Sequence, residues 1–236
     1  MKILALESTA AAAGAAVWED GRLLAEAYQN IKLTHSQTLL PMVRDLLRNA
    51  QIPMSQIGCF AVAAGPGSFT GVRIGVAAVK GMAFGKNAPC VPVSTLLAMA
   101  HLFTGGHTYV CTAMDARCGQ VYNALFEVCG DTVTRLTEDR ALPLTELAAE
   151  LAASEHTWVV TGDGAELAMK TLSATGKVVL APPHLRWQHA AGVAMAAQDA
   201  LNRGETVTDA QLEPFYLRPP QAERELALKK RKEDQK

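Results

Sequence analysis

Apolar and polar positions follow two different rhythms along this chain. Residues 2–7 (KILALE) form a short apolar run ending on a carboxylate, as a buried strand does. Ala15–Trp18 and Leu23–Tyr28 are two further apolar segments. Asp20-Gly21 between them suits the left-handed conformations of a tight hairpin. The opening is therefore expected to be a three-stranded antiparallel meander. From Thr34 the spacing changes to three and four. Thr34 and Gln37 stand at capping-box distance. Leu39, Val43, Leu46 and Ala50 repeat on one helical face, and Leu40 and Leu47 widen it beyond the ~100° that one buried stripe needs. A helix is predicted over about 35–50, with Pro41 removing one of its backbone donors.

Cys59–Ala64 is an apolar run suited to a central parallel strand. Gly65-Pro66-Gly67-Ser68 then leads into a helix reaching about Gly85. Val91-Pro92-Val93 reads as a strand, and Ser94 caps a helix from Thr95 to Phe103. After Gly105-Gly106 the pattern restarts, with strands at 108–114, 120–128 and 132–137 and a helix near 144–153. Strands at 157–161 and 177–180 and a helix at 188–203 complete the set. Strands come first in each half and helices alternate afterwards, so two related α/β units are expected. The N-terminal lobe takes residues 1–105, the C-terminal lobe 106–221, and 222–236 form a charged tail.

Composition narrows the function classes. Hydrophobic residues make up 49% and charged residues 19%, the balance of a packed domain. A net charge of -1 gives the whole chain no electrostatic bias toward nucleic acid. The five cysteines include no Cys-x-x-Cys pair, which argues against zinc ribbons and thioredoxin chemistry. No uncharged apolar run approaches ~18 residues and no signal-peptide pattern opens the chain, so a cytoplasmic protein is expected. The six histidines are scattered, with no pair three or four apart.

Residues 61–85 (AVAAGPGSFTGVRIGVAAVKGMAFG) carry the densest signal. A glycine loop between a strand and a helix invites a bound phosphate. The P-loop spacing fails, because Gly-Lys is never reached, and so does the dinucleotide spacing, because Gly71 comes one residue late. No nucleophile elbow surrounds Ser68. Glycine costs about 1 kcal/mol within a helix, so Gly71 and Gly75 need a reason. The reason is either tight packing on the chain's own sheet or a close external contact or ligand loop. Asp115-Ala116-Arg117, at a strand end, is either an ion pair with a turn cap or an acid–base pair facing a cleft. Lys229-Lys230-Arg231-Lys232 is either a solvated run or an RNA-binding module.

The run GPGSFTGVRIG, with the opening LALEST, the segment MDARCGQVY and the late EPFYLR, resembles the TsaB (YeaZ) family over about residues 1–218. The resemblance implies an actin/Hsp70/sugar-kinase-like (ASKHA) fold of two α/β lobes with mixed sheets. It implies a non-catalytic subunit that supports TsaD, with TsaE and TsaC, in forming N6-threonylcarbamoyladenosine at position 37 of tRNA. ATP and a metal are then expected on the partner subunits, with no cofactor and no metal site on this one. In place of a nucleotide site it implies a degenerate one at Glu7, Ser8, Thr9, Gly65, Gly67 and Asp115. Glu7 stands where the superfamily usually has aspartate, and Gln120 where TsaB usually has glutamate. Where TsaD-like enzymes carry a His-x-x-x-His pair after the fifth strand, this chain reads Ser94-Thr95-Leu96-Leu97-Ala98-Met99, whose hydroxyls and lone thioether make no comparable site. A TsaD heterodimer, or a homodimer of the chain alone, is expected to form through the two N-terminal helices. His35, Leu39, Leu40, Val43, Leu46 and Leu47 would contribute from the first helix, and Val72, Arg73, Val76 and Val79 from the second. An ATP-dependent phosphotransferase or ATPase of the same fold is the alternative reading.

Overall fold

The computed structural model describes residues 1–218. The first half contains β1 (Lys2–Glu7), β2 (Ala13–Glu19), β3 (Arg22–Gln29), α1 (His35–Asn49), β4 (Ile57–Gly65), α2 (Phe69–Ala83), β5 (Cys90–Ser94) and α3 (Thr95–His101). Its sheet runs β3-β2-β1-β4-β5. β1, β2 and β3 form the antiparallel meander, and β4 and β5 add in parallel. The hairpin turns at Asp20 (φ 47°) and Gly21 (φ 82°), the left-handed pair anticipated from the dipeptide.

The second half contains β6 (Gly106–Asp115), β7 (Gln120–Gly130), β8 (Thr132–Arg135), β9 (Arg140–Pro143), α4 (Leu144–Ala153), β10 (Trp158–Thr161), α5 (Ala165–Leu172), β11 (Val178–Leu180) and α6 (Ala190–Asn202). Its sheet runs β11-β10-β6-β7-β8, with β9 on β7. This sheet also joins an antiparallel meander to parallel strands. The strand expected at 132–137 ends at Arg135. Leu136 turns its amide to the Leu125 carbonyl at 2.8 Å, and the chain comes back onto β7 as β9.

Strand β1 shows why its sequence is a continuous apolar run. Ile3 and Ala5 point to one face of the sheet and Leu4 and Leu6 to the other, and both faces are covered. Helices α1 and α2 cover the Leu4 side through Leu39, Val43, Leu46, Leu47, Val72, Val76 and Val79, none more than 7% exposed. These seven residues were expected at a partner interface and are core instead. Two helices crossing five strands need wide apolar stripes, and that width is what resembled a spare face. Leu40, at 51% exposure, and the exposed Arg73 are the members of the expected interface that face outward. His35 is half-buried, its Nε2 2.6 Å from the Ala10 carbonyl oxygen.

The other face of the first sheet is covered from the far end of the chain. Helix α6, expected in the C-terminal lobe, packs Val193, Ala194, Ala196, Ala197 and Ala200 against Ile3, Ala5, Cys59, Ala61, Val91 and Val93. Its small side chains let it lie close, and a Cβ at Gly192 would meet the Ala98 carbonyl oxygen of α3 at 2.1 Å. Capping also departs from expectation at one helix. Ser68 and Ser94 accept from Gly71 N and Leu97 N, but the Thr34 side chain caps nothing, and Gln37 N reaches only the Thr34 carbonyl. The expected charged tail at 222–236 lies outside the described residues.

Candidate functional site

A cleft of ≈ 520 Å³ opens between the two sheets. The first half contributes Thr9, Ala10 and Ala11 from the β1–β2 loop and Pro66 to Thr70 from the β4–α2 loop. The second half contributes Met114 to Arg117, Tyr122 and Asp163. Residues 215–218 close one side. Among the expected nucleotide-site residues, the cleft gathers Thr9, Gly67 and Asp115, while Glu7, Ser8 and Gly65 lie behind its wall.

The glycine segment is explained by what touches it. A Cβ at Gly71 would sit 2.0 Å from the Ser8 carbonyl oxygen, and one at Gly75 2.6 Å from Ser8 Oγ. A Cβ at Gly67 would sit 2.5 Å from the Thr9 carbonyl oxygen. Helix α2 therefore starts directly on the β1–β2 loop, and polar bonds lock the two together. Ser8 Oγ donates to the Gly71 carbonyl at 2.9 Å, and Ser68 N donates to the Thr9 carbonyl at 2.7 Å. Between the two readings of these glycines, the contacts at Gly67, Gly71 and Gly75 are packing within the chain.

Glu7 is fully buried at the end of β1. Its Oε1 accepts from Thr9 N and Thr9 Oγ1, both at 2.6 Å, and its Oε2 has no partner among the described residues. Burial pushes its pKa up to about 7, against the pull of the Thr9 bonds, with a further push from Asp163. Asp163, at the end of β10, accepts from Gln188 Nε2 at 2.9 Å. Burial raises it to about 6, the Gln188 bond opposes this, and Asp115 adds to the rise. Asp115 itself accepts from Arg117 N at 2.8 Å and Arg117 Nη1 at 3.3 Å, so the Asp-Ala-Arg triplet is a turn cap with an ion pair.

The first loop commits to the chain's own packing part of what a triphosphate cradle of the superfamily would use. Such a cradle needs free amides in the first loop. Here the Thr9 amide is given to the chain's own carboxylate, and the start of α2 fills the space above it. Side chains in the Ser94–Met99 segment are also committed elsewhere. Ser94 Oγ donates to Asp139 Oδ2 at 2.6 Å, and Asp139 is ion-paired with Arg135, tying β5 to the other half. Ala98 is 2% exposed under α6. Among the described residues no group of three or more His, Cys, Asp or Glu is placed to hold a metal ion.

Asp163, Tyr122, Phe69, Tyr216 and Arg218 line the cleft without having been singled out as site residues. The EPFYLR segment served only as a mark of resemblance, yet it forms the cleft's third wall. Phe215 N donates to the Ala64 carbonyl at 2.7 Å, and Tyr216 stacks on Phe69 at 4.8 Å. The Arg218 guanidinium lies 5.9 Å from the Tyr122 ring centroid, across the cleft. Gly65, at φ 123°, leaves room for this wall, since a Cβ there would meet the Phe215 carbonyl oxygen at 2.1 Å.

Residues 23–226 match the family model for TsaD, tRNA N6-adenosine threonylcarbamoyltransferase. The tRNA threonylcarbamoyladenosine biosynthesis protein TsaB of Escherichia coli K12 is 34% identical over 92% of this chain and 95% of its own length. The Bacillus subtilis protein of the same name is 31% identical over 62% of this chain and 64% of its own. The solved structure of YeaZ from Pseudomonas aeruginosa superposes with a TM-score of 0.75 at 30% identity, over 92% of this chain and 99% of that one. The ethanolamine utilization protein EutJ of Carboxydothermus hydrogenoformans shares the fold alone, with a TM-score of 0.50 at 13% identity, over 83% of this chain and 90% of that one. The two mixed sheets are thus the expected ASKHA fold. With the glycine helix, the β6–β7 turn and the closing segment all present in it, and with such identity along nearly its whole length, the chain belongs to the TsaB (YeaZ) family.

Proposed function

We propose that this chain is a non-catalytic partner subunit in N6-threonylcarbamoyladenosine formation at position 37 of tRNA. It supports a TsaD-type transferase, with TsaE and TsaC completing the machinery in the cytoplasm, while ATP and the metal belong to those partners. The relatives' names supply the pathway. The observation that carries the subunit role is the first loop, where Glu7 takes the Thr9 amide and α2 is locked onto Ser8 and Thr9. A loop closed on itself supports a scaffold better than a phosphoryl-transfer enzyme. Among the described residues no helix is long and apolar enough to cross a membrane.

The surface proposed for the partner, TsaD or a second copy of this chain, is the outward side of the same two helices. Leu40, Pro41 and Arg44 are exposed on α1, and Thr70, Arg73, Ala77 and Gly81 on α2, with Phe84 just beyond at 80% exposure. Gly81 supports this choice. A Cβ there would meet nothing within 4 Å, so its helix cost of about 1 kcal/mol is not repaid inside the chain. A second backbone packing on this stripe would repay it.

Size-exclusion chromatography with purified TsaD tests the reading. The wild-type chain should co-elute, and a folded Leu40→Asp, Ala77→Arg double variant should not. Titration calorimetry with Mg-ATP on the isolated chain separates the alternative. Micromolar binding with turnover that disappears in Glu7→Ala would establish an ATPase and overturn the subunit reading.

A further inference from the structure

The mouth of the cleft holds two large rings in solvent, Phe215 at 48% exposure and Tyr216 at 39%. Their backbone is pinned. Phe215 N is bonded to the Ala64 carbonyl, and the Phe215 carbonyl fills the space that a Gly65 side chain would take. Lys80 Nζ holds the approach to this segment through the carbonyls of Ala210 and Leu212, at 3.0 Å each, and Leu212 is buried in the first core. Tyr216 stacks on Phe69 and still keeps 39% of its surface in solvent. A rigid backbone that presents apolar rings to water is not explained by folding.

Charge surrounds these rings in an ordered way. Arg73 lies 5.2 Å from the Phe69 centroid and Arg218 5.9 Å from that of Tyr122. Arg117 stands on the opposite rim. Among the described residues, Arg73 and Arg218 rest on rings with no carboxylate against them, and Arg117 has Asp115. The floor is the reverse, with the carboxylates of Asp115 and Asp163. A cationic rim over an acidic floor favours a ligand with phosphates outside and hydrogen-bond donors inside. Interleaved aromatic and guanidinium groups are what single-stranded nucleic acid requires, rings for base faces and cations for the backbone. The floor carboxylates add acceptors for an exocyclic amino group, which adenine, cytosine and guanine carry and uracil lacks. The volume of ≈ 520 Å³ leaves room for an inserted base.

We infer that the cleft mouth binds a single-stranded segment of RNA, one amino-bearing base stacking on Phe215 or Tyr216 and facing Asp115 and Asp163, with flanking phosphates on Arg117 and Arg218. The inference rests on the proposed role in tRNA modification and gives this subunit a direct contact with the substrate.

Fluorescence anisotropy of the full chain with a labelled oligocytidylate tests it. Binding should weaken as salt rises, with a log–log slope of about −1.4 for two phosphates on a single strand. Phe215→Ala or Tyr216→Ala should weaken it about 10-fold, and Tyr216→Phe should not. Arg218→Ala should weaken it and flatten the slope by about 0.7. Oligocytidylate should bind more tightly than oligouridylate. Circular dichroism and melting establish that each variant is folded. A full-length variant with Lys229, Lys230, Arg231 and Lys232 changed to alanine should keep the ring effect. Three results would each overturn the inference: no binding by the wild type, loss only in the tail variant with the ring variants unaffected, or equal affinity for the two oligomers. Displacement by free Mg-ATP as effective as by oligomer would also overturn it, identifying a mononucleotide as the ligand. Co-elution with TsaD is scored in parallel, so that RNA binding can fail while the subunit reading stands.

Discussion

Glycine-to-alanine changes at two positions of α2 should have opposite signs. At Gly71 the added Cβ would lie 2.0 Å from the Ser8 carbonyl oxygen and 3.2 Å from its carbon. Both are backbone atoms of a loop anchored by β1, so no rotamer change relieves the clash. Overpacking costs typically 1–3 kcal/mol, and a rigid backbone neighbour puts this site at about 3. Separating the segments also strains the 2.9 Å bond from Ser8 Oγ to the Gly71 carbonyl, about 1 kcal/mol. Alanine returns about 1 kcal/mol of helix propensity. The net loss is about 3 kcal/mol, or roughly 6–12 °C in Tm for a chain of this size. At Gly81 nothing lies within 4 Å of the added methyl, so only the propensity gain remains, about 0.5–1 kcal/mol of stabilisation. Urea unfolding followed by circular dichroism reads both, from midpoint shifts at constant slope. A Gly71→Ala protein within about 0.5 kcal/mol of wild type would refute the close approach of α2 to the β1–β2 loop.

Further outcomes follow from the same geometry. Glu7 has a folded pKa of about 7, above the ordinary carboxylate value of 4.5, so the native state binds the extra proton and stability falls as pH rises from about 4.5 to 7. The difference corresponds to about 3 kcal/mol. Melting between pH 5 and 8 should show a steeper decline for wild type than for Glu7→Gln, and parallel curves would contradict it. Val76→Arg should unfold the N-terminal half by burying a charge, whereas Ala77→Arg should stay within about 0.5 kcal/mol of wild type. Equal melting temperatures for the two would show the helix faces assigned wrongly. Burial pushes the Cys59 and Cys111 thiols up to about 12 and raises that of Cys90, while Cys118 and Cys129 are exposed. Native protein should therefore titrate two fast thiols with a disulfide reagent, and a third fast thiol would count against the packing around Cys90.

The legible parts of this fold were those fixed by neighbours in sequence. Asp20-Gly21 determined a turn, and the alternation around it determined the meander. Helix α4 was found at its observed bounds because Leu144, Leu147 and Leu151 keep helical spacing. Helix α5 escaped because it spans eight residues behind two glycines, too short for a period to emerge. The cleft was half legible. Thr9, Gly67 and Asp115 lie on loops whose motifs are local, whereas Asp163 and Tyr216 matter through residues 25 or more positions away. Burial of α1 and α2 was misjudged for the same reason. A helical wheel gives the width of an apolar face but not the number of strands beneath it.

Helix α6 and Leu212 give the first sheet a debt to the end of the chain. A ribosome delivers β1 through α3 long before Val193 to Ala200 can cover Ile3, Ala5 and Val91, and before Leu212 fills the opposite core. The nascent N-terminal half must therefore wait with one face of its sheet uncovered, the state in which apolar strands recruit chaperones or one another. A fragment ending near residue 105 is then not a miniature of the lobe but an unfinished one. Contacts of such long sequence separation also make slow closure of the native sheet the expected step in refolding.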